Sequence, residues 1–205
     1  MSEMNSRSRH VLAGADLVAR IVVLNLCFLL TSVGVVTIVP SALALQSVLP
    51  RPGVEPPARP VRSYFRTFAA MWRCAWPLGV LLPSIGFGAW VAVSFYLAAA
   101  PFLAGPALAV LIPAFGDLAA GYLALLEVAR RQGVLPGGWR GWLAPTVRVV
   151  ASRPLPAAGA ILLLGTVAML FLRLPTLLPI ACGAAPAYIA MWAFGLPARR
   201  SVTTR

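Results

Sequence analysis

The sequence predicts an all-α fold, a polytopic transmembrane helical bundle, and three observations predict it. Sixty per cent of the 205 residues are hydrophobic and only 11% are charged, whereas a soluble domain carries roughly a quarter charged residues. Five mostly apolar windows follow one another along the chain, each near the ~20 residues that a bilayer crossing needs. The short alternating segments of a membrane barrel are missing, so the backbone must satisfy its polar groups within helices.

In chain order, residues 1–16 read as a polar amino-terminal tail, 17–198 as the transmembrane domain and 199–205 as a basic carboxyl tail. The spans are expected at about 20–44, 75–98, 103–127, 155–173 and 175–196. The first window is too long for a cleaved signal core and ends in no cleavage site, so it is expected to be retained. It carries Asn25, Thr31, Ser32, Gly34, Thr37 and Pro40, more polar and helix-loosening residues than a plain anchor requires. Either it crosses once, or it turns back between Gly34 and Pro40. The second arm, about ten residues ending in Gln46, is short for a crossing, which favours the single span.

Five prolines between Pro50 and Pro60 make an extended linker. After it, Tyr64, Phe65, Phe68, Met71 and Trp72 recur at helical spacing while Arg62, Arg66 and Arg73 share the other side. That pattern predicts a basic helix over 61–75 lying in the membrane interface. A second such helix is expected over 141–153, where Trp139, Arg140, Trp142, Arg148 and Arg153 precede the fourth span; Pro145 fits its first turn and Pro154 ends it. The full expectation is about five spans plus two basic interfacial helices, with a tight hairpin near Leu174 joining the last two spans. At an offset of 80 residues, Leu43-Ala44-Leu45, Arg73 and Gly79 match Leu123-Ala124-Leu125, Arg153 and Gly159. A parallel repeat and the coincidence of common residues account for these identities equally well.

All 17 basic residues are arginines, against five acids, for a net charge of +12. They stand at the ends of apolar segments, which points to anionic headgroups of the lipid bilayer and excludes nucleic acid as the partner. With a single first crossing, thirteen arginines fall on the side of the linker, the 128–154 loop and the carboxyl tail, and four on the other. The larger group is expected in the cytoplasm of the cell, with the carboxyl terminus. If the first segment turns back, the split becomes sixteen to one.

Little in the chain suggests catalysis. Cys27, Cys74 and Cys182 are widely spaced and His10 is the only histidine, so neither a metal site nor a triad can be drawn, and no cofactor is implied. Gly86, Gly88, Gly116 and Gly121 read as helix-contact positions. The six tryptophans mostly flank the spans as an interfacial belt. Asp117 is the sharpest residue: an acid near the middle of the third span is costly and usually faces a bundle interior or a water cavity. It could form a proton or cation site, or a structural hydrogen bond to Asn25, Thr31 or Ser84. Glu127, beside Arg130 and Arg131, reads as a surface ion pair.

Asn25, Leu29-Leu30-Thr31-Ser32, Val36-Thr37-Ile38-Val39-Pro40, Tyr64-Phe65-Arg66-Thr67-Phe68 and Trp72-Arg73-Cys74-Ala75-Trp76-Pro77-Leu78-Gly79 together resemble the YesL family of bacterial membrane proteins, which carries a domain of unknown function. The likeness extends over about residues 20–198. Gly34 stands where that family often has proline, and Val39 where it often has glycine. The resemblance implies a helical membrane protein of about five spans associated with carbohydrate uptake, and it supplies no catalytic residue.

Two functions are therefore expected. The first is a non-enzymatic membrane protein acting as accessory or partner of a transport system, in contact with transporter subunits. Its interface or partner contacts would be Arg62, Arg66, Arg73, Trp72, Arg140, Trp142, Arg148 and Arg153. The second is a small-solute transporter with a polar intramembrane site formed by Asp117, Asn25, Thr31, Ser32, Thr37 and Pro40.

Overall fold

The computed structural model describes residues 2–50, 57–99, 101–133, 138–174, 176 and 181–195. Most of the proline-rich linker, the start of the expected fifth span (175 and 177–180) and the carboxyl tail lie outside them. Among the described residues seven α-helices run in order: α1 Ser2–Thr31, α2 Ile38–Val48, α3 Pro60–Ala99, α4 Pro101–Gln132, α5 Arg140–Ser152, α6 Pro154–Arg173 and α7 Ala184–Phe194. No strand occurs among the described residues. Four stretches, Gly14–Thr31, Pro60–Ala98, Gly105–Gln132 and Pro154–Arg173, are long and apolar enough to cross a membrane, and Val35–Val48 and Ala184–Phe194 are shorter apolar segments. The protein is an all-α membrane helical bundle.

The expected first span over 20–44 is not one helix. α1 stops at Thr31, a single 3₁₀ turn occupies Val35–Thr37, and α2 starts at Ile38. The Thr31 hydroxyl bonds back to the Cys27 carbonyl at 3.0 Å, and Gly34 follows in extended backbone. Pro40 then sits in the first turn of α2, where an absent N–H costs nothing because that turn has no intrahelical acceptor to reach. The proline that reads as a kink within one helix is the start of a new one.

The two arms fold back on each other. The Thr31 hydroxyl on α1 lies 2.6 Å from the Tyr64 hydroxyl, which also reaches the Ser41 carbonyl on α2 at 3.5 Å. Phe28 and Leu45 converge on Gly183, where an added Cβ would meet both side chains at 2.6–2.8 Å. Arg20 donates to the Pro57 carbonyl, next to the start of α3, at 3.3 Å. Each pair straddles the 32–37 turn, so the segment enters and leaves by the same end of the bundle. The tip is seated against α3 at Gly79, where any Cβ would overlap the Val36 carbonyl.

The basic helix expected over 61–75 and the span expected over 75–98 are one element. α3 runs through Pro77 and Pro83 without interruption, and its 40 residues extend ~60 Å, twice the hydrocarbon thickness. The helix bearing Arg62, Arg66 and Arg73 therefore projects from the apolar layer as a continuation of the span. In the second copy the break is present: Arg153 has φ −138° and ψ 59° between α5 and α6. Pro154 follows it directly, and the residue before a proline is held out of the helical region. Arg73 has no proline behind it until Pro77, so the matched positions differ in structure.

The core lies where α1, α2, α3, α4 and α7 meet, at Leu24, Leu43, Leu45, Tyr64, Leu123, Leu126, Ala190 and Phe194, all nearly inaccessible. Alanines fill much of the rest, including Ala75, Ala124, Ala129, Ala160 and Ala187. Small side chains let the helices approach closely where packing, not water exclusion, holds them together. α4 closes at Gly133, whose φ of +64° is the left-handed conformation glycine adopts at helix ends. The Trp142 indole then donates to the Gly133 carbonyl at 3.2 Å and ties α5 under α4.

Candidate functional site

The residues expected to form one polar intramembrane site fall in separate places. Asn25 is wholly buried, and its Oδ1 accepts from the Gly183 and Ala184 N–H groups at 3.0 Å each. A side chain on α1 thus caps the first turn of α7, a helix with no cap of its own. Thr31 is engaged with its own helix and Tyr64. Thr37 closes the hairpin tip on the Gly34 carbonyl, Pro40 is buried in α2, and the buried Ser32 hydroxyl finds no partner among the described residues. These groups build the hairpin.

Asp117 stands apart from them. It is exposed on α4 and lines a groove of about 340 Å³ between α3 and α4 with Ile85, Ala89, Leu111, Ala114, Phe115 and Leu118. Its carboxylate is the one polar side chain in that lining. Among the described residues it takes part in no ion pair or hydrogen bond, neither to Asn25 or Thr31 nor to Ser84. The flanks of the groove are apolar and open: Trp90 is 68% exposed and Val110 70%. In place of the bundle interior or water cavity expected of an intramembrane acid, the structure gives Asp117 an outward-facing apolar groove.

Glu127 is the opposite case. It is buried, not a surface group. Arg130 approaches both of its carboxylate oxygens, and the Arg131 Nε donates to Oε1 at 2.7 Å. Arg131 also donates to the Phe194 carbonyl at 3.0 Å, at the end of α7. A positive side chain on a helix's last carbonyls offsets its dipole. With Asn25 at one end and Arg131 at the other, α7 is held by side chains distant in sequence at both termini.

Of the expected interface residues, Trp142 is wholly buried and held by its hydrogen bond to Gly133. It is a core residue of α5, with no surface for lipid or a partner. Trp72 is half-buried against Phe68, whose ring centroid lies 6.1 Å away. Arg62, Arg66, Arg73, Arg140 and Arg148 are exposed, and Arg153 is half-buried at the α5–α6 break. Arg140 stacks over Trp139 at 5.7 Å.

The most crowded basic feature lies where the linker enters α3. Pro57, Ala58, Arg59, Arg62, Ser63 and Arg66 line an open cleft of about 450 Å³. Sequence reasoning missed Arg59, whose position in the linker hid that it borders the same cleft as Arg62 and Arg66 from just before α3; the spacing i, i+3, i+7 was the available signal. No three of His, Cys, Asp and Glu gather as a metal site among the described residues. The chain matches no protein-family model, no curated protein and no solved structure.

Proposed function

We propose that this chain is a non-catalytic component of a membrane assembly and that its α3–α4 face docks a transmembrane helix of a partner protein. The observation that carries this reading is Asp117, an unpaired acid in an open apolar groove midway along a spanning helix. An ionised side chain at such depth costs ~3 kcal/mol or more on insertion scales. A partner helix with a lysine, an arginine or a hydrogen-bond donor at the same depth removes that cost. A second copy of this chain has no cation to offer there, because its arginines stand at the ends of the apolar stretches. A cationic partner at that depth is therefore a different chain.

A transport system, with carbohydrate uptake as its cargo class, is the partner class implied by the resemblance to the YesL family. A solute path through this chain alone would require the polar groups to converge, and they are spread over the hairpin, the α7 cap and an outer groove. The same reading puts the protein in the plasma membrane with its arginine-rich end in the cytoplasm. A first segment that turns back leaves Arg173 alone among the seventeen arginines at the far end, as the positive-inside rule favours.

Affinity purification from native membranes under mild detergent tests the reading. Wild-type protein is expected to bring down a membrane protein that Asp117→Leu recovers at least about tenfold less well, as loss of an intramembrane polar contact of ~1.5 kcal/mol would give. Equal recovery by both proteins contradicts it.

A further inference from the structure

We infer that the cleft at the start of α3 is a binding site for the phosphate group of an anionic phospholipid. This inference is independent of the partner proposed for the α3–α4 face. Three guanidinium groups, from Arg59, Arg62 and Arg66, border one cleft together with the Ser63 side chain. None of the three is ion-paired among the described residues. Asp16 is taken by Arg20 at 2.8 Å. Arg20 itself is turned to the Pro57 carbonyl and braces the cleft's rim. Unpaired charges so close together repel one another until an anion joins them, and the planar guanidinium fork suits phosphate oxygens, which two arginines can grip from different sides.

The backbone adds to this field. α3 begins at Pro60, and the first helical bond runs from the Ser63 N–H to the Arg59 carbonyl at 3.0 Å. The positive end of a 40-residue helix therefore opens on the cleft.

A lipid, in preference to a free anion, follows from what lies beside the arginines. Val61 and Phe65 on the same turns are each 40% exposed, and Trp76 further along α3 is 52% exposed. This gives acyl chains an apolar path that begins next to the charged cleft. A soluble phosphate has no use for that surface. Against an anionic membrane surface each basic side chain contributes about 1 kcal/mol toward lipid binding.

Native mass spectrometry of the purified full chain, titrated with phosphatidylglycerol or phosphatidylcholine, tests the site. The triple variant Arg59→Gln, Arg62→Gln, Arg66→Gln should bind phosphatidylglycerol at least about tenfold more weakly than wild type, as loss of ~1.5 kcal/mol or more would give. The charge-matched variant Arg73→Gln, Arg140→Gln, Arg148→Gln, altered at exposed positions outside the cleft, should stay within about twofold on the same scale. All six side chains are exposed, and a melting curve unchanged from wild type confirms that the variants fold. Arg62→Lys, which keeps the charge and loses the fork, separates folding from recognition and should bind at an intermediate level. Equal losses in both triple variants would reduce the effect to diffuse surface charge and overturn the site. Equal binding of phosphatidylcholine, or displacement of the lipid by millimolar inorganic phosphate, would overturn the assignment to anionic lipid.

Discussion

At the scale of single residues, polar side chains in this bundle divide by whether the chain provides their partner. Asn25 and Glu127 are buried and satisfied, Asn25 by backbone N–H groups far along the chain and Glu127 by Arg130 and Arg131 on its own helix. Asp117 is neither buried nor satisfied. Asn25→Ala should leave the Gly183 and Ala184 N–H groups without their acceptor. A buried donor stripped of its partner costs ~1–3 kcal/mol, so the variant should unfold at clearly lower denaturant than wild type in a detergent-based titration. Unchanged stability would mean that α7 needs no cap from α1. The polar identity of Asn25, Asp117 and Glu127 was legible in the sequence, as was the pairing of Glu127 with Arg130 and Arg131; the partner of Asn25, the burial of Glu127 and the outward groove at Asp117 were not. A helix cap supplied from 158 positions away leaves no local signature. A pair such as Glu127 and Arg130 looks the same at the surface as beneath α7.

At the scale of elements, the α1–α2 hairpin decides how the rest is arranged. Its tip lies on α3 because Gly79 has no side chain, and the Val36 carbonyl occupies the space a Cβ would take. Gly79→Ala should push the tip away and cost about 1–3 kcal/mol, as overpacking a closed contact does. Thermal unfolding in detergent measures this. Gly14→Ala is the matched control, since nothing lies within 4 Å of its Cβ position. The helical class of these segments was legible from composition and period alone. The hairpin was visible only as one of two readings, because Gly34 and Pro40 serve equally well as a kink or as a stop followed by a start. The choice was made by long-range contacts at Tyr64 and Gly183. Local pattern also failed at α3, where a change in amphipathic character at about residue 75 suggested two helices and no residue there ends the first.

At the scale of the whole molecule, contacts from Arg20, within α1, to Pro57 and from Arg131 to Phe194 gather the start of α3 and the ends of α4 and α7 at one end of the bundle. The lipid cleft, the basic α5 and the buried Glu127 cluster all belong to that end. Asp117 lies one membrane half away on the open side of α3 and α4. The orientation and the placing of the cleft and Asp117 relative to the membrane all rest on the first segment entering and leaving by one face. Labelling with a membrane-impermeant maleimide tests that claim most directly, in a background where Cys27, Cys74 and Cys182 are replaced by alanine. Ala15→Cys on α1 and Leu143→Cys on α5 are both accessible positions. Both should label in inside-out vesicles, and neither in sealed right-side-out vesicles. Labelling of the two positions from opposite sides would mean that the first segment crosses the membrane, and would contradict the account.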